Sequence, residues 1–162
     1  MKNNYAYIDG ANLHQGMNAL GFELDYKKFR VWLKDKFDIT TAYIFIGNIP
    51  KYKRLYASLQ EAGYILIFKE VVYDNNGKAK GNCDADLVLK ATQDFYKNSY
   101  KNALLVSSDG DYSAMVSFLL EENRLLGVLS PANEKKCSIL LKRTNCKIFY
   151  ISEQKSILEL VK

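Results

Sequence analysis

Histidine occurs once in this chain, as His14, and cysteine three times, as Cys83, Cys137 and Cys146, with no CxxC pair among them. A structural zinc site needs about four nitrogen or sulfur ligands, so the usual Cys/His kind is hard to assemble here. An odd set of unpaired cysteines reads as reduced thiols of a cytoplasmic protein, with Cys137 and Cys146 filling core space. Proline is confined to two positions, and no Gly/Ser-rich or proline-rich stretch divides the 162 residues. One domain over residues 1–162 is therefore expected. No apolar run approaches the roughly 18 residues needed to cross a bilayer. The opening MKNNYAYIDG has neither an apolar stretch nor a small-residue cleavage site, so the expectation is a cytoplasmic protein with no membrane partner. Phosphate loops of the GxxxxGK[ST] and GxGxxG forms are missing, which argues against kinases and nucleotide cofactors. A GxSxG elbow is missing too, and His14 alone does not furnish a catalytic triad.

What remains is the composition of an ordinary globular protein, 48% hydrophobic and 25% charged. Lysine and arginine number 23 against 18 acidic residues, a net charge of +5. That modest excess tilts the balance towards an anionic partner without defining one. Self-association into a homo-oligomer stays open.

Short apolar runs alternate with longer segments of helical period. YAYI (5–8), TAYIFIG (41–47), YILIFKEVVY (64–73), NALLVSS (102–108), LLGVLS (125–130) and KIFYI (147–151) read as strands. The third should continue into a bent or second extended piece. Tyr26 to Phe37 has helical spacing, and Pro50 suits the first turn of a helix carrying Tyr52, Leu55, Tyr56 and Leu59 up to Gly63. After the polar loop DNNGKAKGN, Asp84 reads as the N-cap of a helix through Leu87, Leu89, Ala91 and Phe95. SAMVSFLLEEN reads as a further helix, Lys135 to Lys142 as a short one, and the tail SEQKSILELVK as a closing one. Strand–helix alternation calls for parallel strands with crossover helices, hence a three-layer, Rossmann-like α/β sandwich.

In such sheets ligands bind beyond the carboxyl ends of the strands. Asp9 follows the first strand at once, with Asn12 three residues on. Asp109 and Asp111 follow ALLVSS, and Asp84 and Asp86 open a helix after a loop. Each aspartate alone has an ordinary explanation as a turn or capping residue. Together they do not, because two carboxylates about 4 Å apart repel by roughly 4 kcal/mol at an effective dielectric near 20. Such a cluster takes up protons or holds a cation. Carboxylates with few histidine or cysteine neighbours suit a hard ion, Mg²⁺ or Mn²⁺, the usual equipment for phosphate chemistry.

YIDGANLH (7–14), KGNCDADLVLKA (80–91) and LLVSSDGDYSAMV (104–116) resemble, in order and spacing, the motif blocks of the NYN domain family of PIN-like nucleases, and of its LabA-like bacterial branch in particular. The blocks span nearly the whole chain. The resemblance implies a mainly parallel PIN-like sheet of order 3-2-1-4-5, with strands one and four adjacent. It makes Asp9, Asp84 and Asp109 metal-binding carboxylates and Asp111 a fourth. Asn12 would orient Asp9 or a bound water, Ser107 or Ser108 would support the site, and Lys80 and Gly81 match the loop before the third acidic position. Many members have one residue between that glycine and the acid, whereas Asn82 and Cys83 intervene here. Asp86 therefore competes with Asp84 as ligand; Asp84 is preferred because Leu87 and Leu89 then keep the expected helix face.

For a polyanionic substrate, Lys51, Lys53 and Arg54 stand beyond the second strand, and Lys78 and Lys80 stand in the loop before Asp84. Tyr52, Tyr56, Tyr73 and Tyr112 are stacking candidates for bases, Tyr112 the weakest of them, although tyrosines at helical spacing are more often core residues. His14 reads as a helix-surface residue. The favoured expectation is an Mg²⁺- or Mn²⁺-dependent, endonucleolytic ribonuclease acting on single-stranded or structured RNA. A non-catalytic RNA-binding module ranks second. A phosphatase of the haloacid-dehalogenase type ranks last, since DGAN at the first strand lacks that family's DxDx[TV] motif.

Overall fold

The computed structural model describes residues 3–48, 52–80 and 83–161, without the side chains of residues 48, 79 and 80. The chain runs β1 (Asn4–Asp9), α1 (Gly10–Leu20), α2 (Tyr26–Phe37), β2 (Ile39–Asn48), α3 (Lys53–Glu61), β3 (Tyr64–Glu70), β4 (Val72–Tyr73) and β5 (Ala79–Lys80). It continues through α4 (Asp84–Tyr96), β6 (Ala103–Val106), α5 (Ser113–Glu121), β7 (Leu125–Ser130), α6 (Ile139–Lys142), β8 (Ile148–Tyr150) and α7 (Lys155–Leu158). Six strands form one sheet in the order β3-β2-β1-β6-β7-β8. Every neighbouring pair is parallel. Among the described residues, no helix is long and apolar enough to cross a membrane.

Side chains of successive strand residues point to opposite faces, so a strand that is apolar throughout feeds two cores. Ala6 and Ile8 of β1, with Leu104 and Val106 of β6, meet Leu13, Met17, Phe29 and Leu33 from α1 and α2. Tyr7 and Leu105, from the same strands, face the other way towards Leu87 and Ala91 of α4 and Val116 and Leu119 of α5. Both faces of the sheet are thereby covered, as the short apolar strands require.

The expected five-strand order gains a sixth strand. Counting only strands of this sheet, the order is 3-2-1-4-5-6, because β8 pairs with β7 from Val128↔Ile148 to Ser130↔Tyr150. The expected extension of the third strand is the separate β4, which pairs antiparallel with β5. The polar segment between them turns because Asp74 Oδ1 accepts the backbone N–H groups of Asn76 and Lys78, each at 2.9 Å. The helix expected from Lys135 shortens to Ile139–Lys142, where Ser138 Oγ accepts the Leu140 N–H at 3.2 Å. The closing helix is one turn, preceded by a 3₁₀ turn over Ile151–Gln154.

Two further expectations need correction. Asp84 is the first residue of α4 and not its cap; that position belongs to Cys83, which makes no side-chain capping bond. Leu87 is buried but Leu89 is 57% exposed, because residues two apart on a helix stand about 200° apart and do not share a face. Pro50, Lys51, Gly81 and Asn82 lie outside the described residues.

Gly10 opens α1 directly after Asp9, where the helix start presses on β2. A Cβ there would stand 2.9 Å from the Phe45 carbonyl oxygen and run into Ile46 Cγ2. Backbone cannot swing aside as a flexible side chain can, so Gly10→Ala is expected to lower stability by about 1–3 kcal/mol. Chemical denaturation checks this; an unchanged midpoint would show that the contact yields freely.

Candidate metal centre

The parallel pairing of β1 with β6 places Ile8 opposite Val106, so both strands release their chains at one edge of the sheet. Asp9 ends β1 and caps α1, its Oδ1 accepting the Asn12 N–H at 3.1 Å. Asp109 lies three residues past Val106 and caps the 3₁₀ turn Gly110–Tyr112, its Oδ1 accepting the Asp111 N–H at 2.9 Å. Asp84 comes in from the start of α4, on the face covered by that helix. One carboxylate oxygen from each of Asp9, Asp84 and Asp109 lies within 4.8 Å of the others. Three segments far apart in sequence thus meet at the carboxyl edge.

The supporting residues are polar and fixed. Buried Ser107 accepts the Asp109 N–H at 3.1 Å through its hydroxyl. Asn12 was expected to orient Asp9 or a water. Its backbone does hold Asp9, while its side-chain Oδ1 accepts the Ser108 N–H at 2.9 Å and the Ser108 hydroxyl at 3.2 Å. This stitches the loop after β1 to the loop after β6. Gly110, like Gly10, follows an aspartate of the cluster, and a Cβ on it would meet Ser138 Oγ and stand 3.0 Å from Leu140 Cδ1.

Tyr112, the weakest of the stacking candidates, was not expected as a partner of the aspartates. Its ring is fully buried, and its hydroxyl lies 2.9 Å from Asp9 Oδ2 and 2.9 Å from Asp84 Oδ1. Burial, followed by the Asp9 and Asp84 charges, pushes the phenol far above its ordinary value. It remains a neutral donor. The only signal in the sequence was its place directly after Asp111 in DGDY, where an aromatic residue opening a helix reads as core.

Electrostatics make the cluster costly without a countercharge. Burial raises the Asp9 carboxyl most; the Asn12 N–H and the Tyr112 hydroxyl oppose this, and Asp84 and Asp109 add to it. Asp111 is exposed, and its carboxyl is raised chiefly by Asp109, with Asp84 contributing. It lies at the exposed rim of the trio, within reach of the Asp109 and Asp84 charges. Buried Cys83 is pushed up to about 11, mainly by desolvation, and the cluster gathered at the edge consists of carboxylates alone. Three carboxylates in a partly buried pocket fit a hard divalent cation.

Asp86, the rival of Asp84, points elsewhere: its Oδ2 sits 3.4 Å from Lys69 Nζ. Lys53, Arg54 and Lys78 are exposed; Lys51 and the Lys80 side chain lie outside the described residues. Of the stacking candidates, Tyr52 and Tyr73 are exposed, whereas Tyr56 is buried against β2 with its hydroxyl donating to the Gly47 carbonyl at 2.9 Å. Tyr112 is likewise unavailable to a base. His14 is exposed on α1, with Nε2 3.4 Å from Asn18 Nδ2.

A parallel α/β sheet with carboxylates gathered past its central strands defines a class, the Rossmann-like proteins with an acidic site. Within that class the chain belongs to the NYN domain family, whose model matches residues 5–152, and that family carries the PIN-like nuclease fold. No curated protein matches the chain. Among solved structures, a protein of unknown function from Vibrio parahaemolyticus RIMD 2210633 superposes with a TM-score of 0.74 at 21% identity, covering 97% of this chain and 96% of its own. At that identity the likeness concerns the fold.

The raised Asp9 carboxyl gives a pH dependence of defined sign. In the ion-free protein the folded state holds the Asp9 proton more tightly than the unfolded chain, whose value is near the ordinary 3.8. The stabilisation is complete below that value and is lost as pH rises through the raised folded value. Asp9→Asn is expected to flatten this fall in denaturation curves recorded in EDTA across that window. An identical slope in the variant would mean that Asp9 is not the group responsible.

Proposed function

We propose that the chain is a metal-dependent ribonuclease, cutting RNA phosphodiester bonds endonucleolytically at the Asp9–Asp84–Asp109 cluster. One observation carries the reading: three carboxylate oxygens from chain-distant segments lie within 4.8 Å of one another. Membership of a family with a nuclease fold supports it, as does the net charge of +5. Asp9, Asp84 and Asp109 would hold the Mg²⁺ or Mn²⁺, with Asp111 as a fourth carboxylate reaching in from the exposed side. When bound, the ion supplies polarisation of a phosphoryl oxygen and activation of water.

The chain's own residues do the rest. Asn12, Ser107 and Ser108 keep the loops after β1 and β6 in register, so the carboxylates are in place before substrate arrives. Lys53, Arg54, Lys78, Lys51 and Lys80 attract and orient the RNA phosphates, and exposed Tyr52 and Tyr73 offer faces for unpaired bases. The motif residues of the three blocks favour the LabA-like branch, and the reading takes residues 1–162 as one cytoplasmic domain.

Labelled single-stranded and hairpin RNA, incubated with the protein in Mn²⁺ or Mg²⁺, tests this directly. Cleavage is expected with either ion, abolished by EDTA, and reduced at least ~100-fold in Asp109→Asn and Asp84→Asn. Asp86→Asn should cut at close to the wild-type rate, since Asp86 engages Lys69. Binding without cutting in wild type and variants alike would instead make the chain an RNA-binding module. Hydrolysis of small phosphomonoesters without RNA cleavage would point to a phosphatase.

A further inference from the structure

We propose that Tyr112 is a positioning residue of this centre: its hydroxyl ties Asp9 to Asp84 and thereby sets the opening that the divalent ion enters. The inference rests on the metal reading above. Asp9 rides on the end of β1, whereas Asp84 rides on α4, so no shared element fixes the distance between them. Tyr112 touches all three parts of the trio. Its hydroxyl lies 2.9 Å from a carboxylate oxygen of Asp9 and of Asp84, and its backbone N–H donates to the Asp109 carbonyl at 3.3 Å. Its ring is fully buried in the core built from Leu87, Leu105 and Val116, so the hydroxyl is delivered by a rigid body.

Ordinary need for a hydrogen-bond partner does not account for this placement. A buried tyrosine hydroxyl is satisfied by one acceptor, and Tyr56, Tyr64 and Tyr100 each donate to a backbone carbonyl at 2.6 to 2.9 Å. Tyr7 meets a single carboxylate, Asp94, whose charge Lys90 Nζ balances at 3.0 Å. Tyr112 alone of these is set between two carboxylates, and one hydroxyl proton serves only one of them at a time. Both contacts have hydrogen-bond length, 2.9 Å each, so a single oxygen sets the spacing of the two carboxylates. Outer hydrogen-bond partners of this sort orient metal ligands and are coupled to affinity.

Tyr112→Phe keeps the ring and removes the hydroxyl. Titration of the full chain with MnCl₂, followed by calorimetry and by the electron paramagnetic resonance signal of Mn²⁺, is expected to show roughly 10- to 100-fold weaker binding. The melting temperature measured in EDTA should stay close to wild type. In an Asp84→Ala background, where no side-chain acceptor is left at position 84 for the hydroxyl, the same substitution should weaken binding little further. Wild-type Mn²⁺ affinity in Tyr112→Phe would overturn the inference and leave the metal centre intact. A collapse of the ion-free protein would also overturn it, making the hydroxyl a structural strut. Absence of Mn²⁺ binding by the wild type would remove the metal reading itself, and this inference with it.

Discussion

Three carboxylate oxygens held within 4.8 Å of one another repel, and at an effective dielectric near 20 each pair at about 4 Å costs roughly 4 kcal/mol. Folding brings them together all the same, because each aspartate is committed to its place by forces that take no account of the others. Asp9 is carried to the edge by a strand buried on both faces, and Asp109 by its parallel neighbour. Asp84 is carried by a helix whose Leu87 and Ala91 are fully buried. Burial of apolar side chains at about 1.5–3 kcal/mol each outweighs the repulsion. The charge problem is thereby concentrated at one edge, where a cation can resolve it.

Close approach of backbone is the second condition. Gly10 and Gly110 each follow a cluster aspartate, and each sits where a Cβ would collide, with β2 in one case and with Ser138 in the other. The two Asp-Gly pairs therefore have the same cause. At Asp9 the chain passes from β1 into α1 within one residue, and at Asp109 it enters a 3₁₀ turn three residues after β6; at both, neighbouring segments press against the turn. Asn12 then bridges the two turns through Ser108, so the loops after β1 and β6 behave as one unit.

How much of this was legible beforehand follows from the physics of each part. Parallel strands covered on both faces are apolar throughout, and that pattern survives without knowledge of the partners; hence the six strands and the layer order. Asp9 and Asp109 were legible because the carboxyl edge of such a sheet is a known place in the chain. Asp84 and Asp86 were harder to separate, since both lie in the first turn of α4; only the packed helix shows that one faces the trio and the other Lys69. β4 was legible as an extended continuation of the third strand, but its pairing was not, because β5 is two residues long within a loop whose turn Asp74 builds. Tyr112 was missed for a related reason. A buried tyrosine at the head of a helix looks like core from its spacing, and its ring is core; the chemistry lies in the last atom, whose partners come from two distant segments.

Capping and metal binding, which read as rival explanations for the aspartates, turn out to be compatible. Asp9 and Asp109 are both genuine caps, each accepting a backbone N–H through Oδ1. A carboxylate has about four lone-pair sites, so one capping bond leaves most of them unused. The cap also fixes the side-chain rotamer, which would otherwise have to be ordered when an ion binds. A capping aspartate at the carboxyl edge of a parallel sheet would be pre-oriented for the ion proposed here, and the feature that distinguishes it from an ordinary cap is the company it keeps. In this chain that company is a second cap from the neighbouring strand, a third carboxylate from α4, and a buried hydroxyl between two of the three.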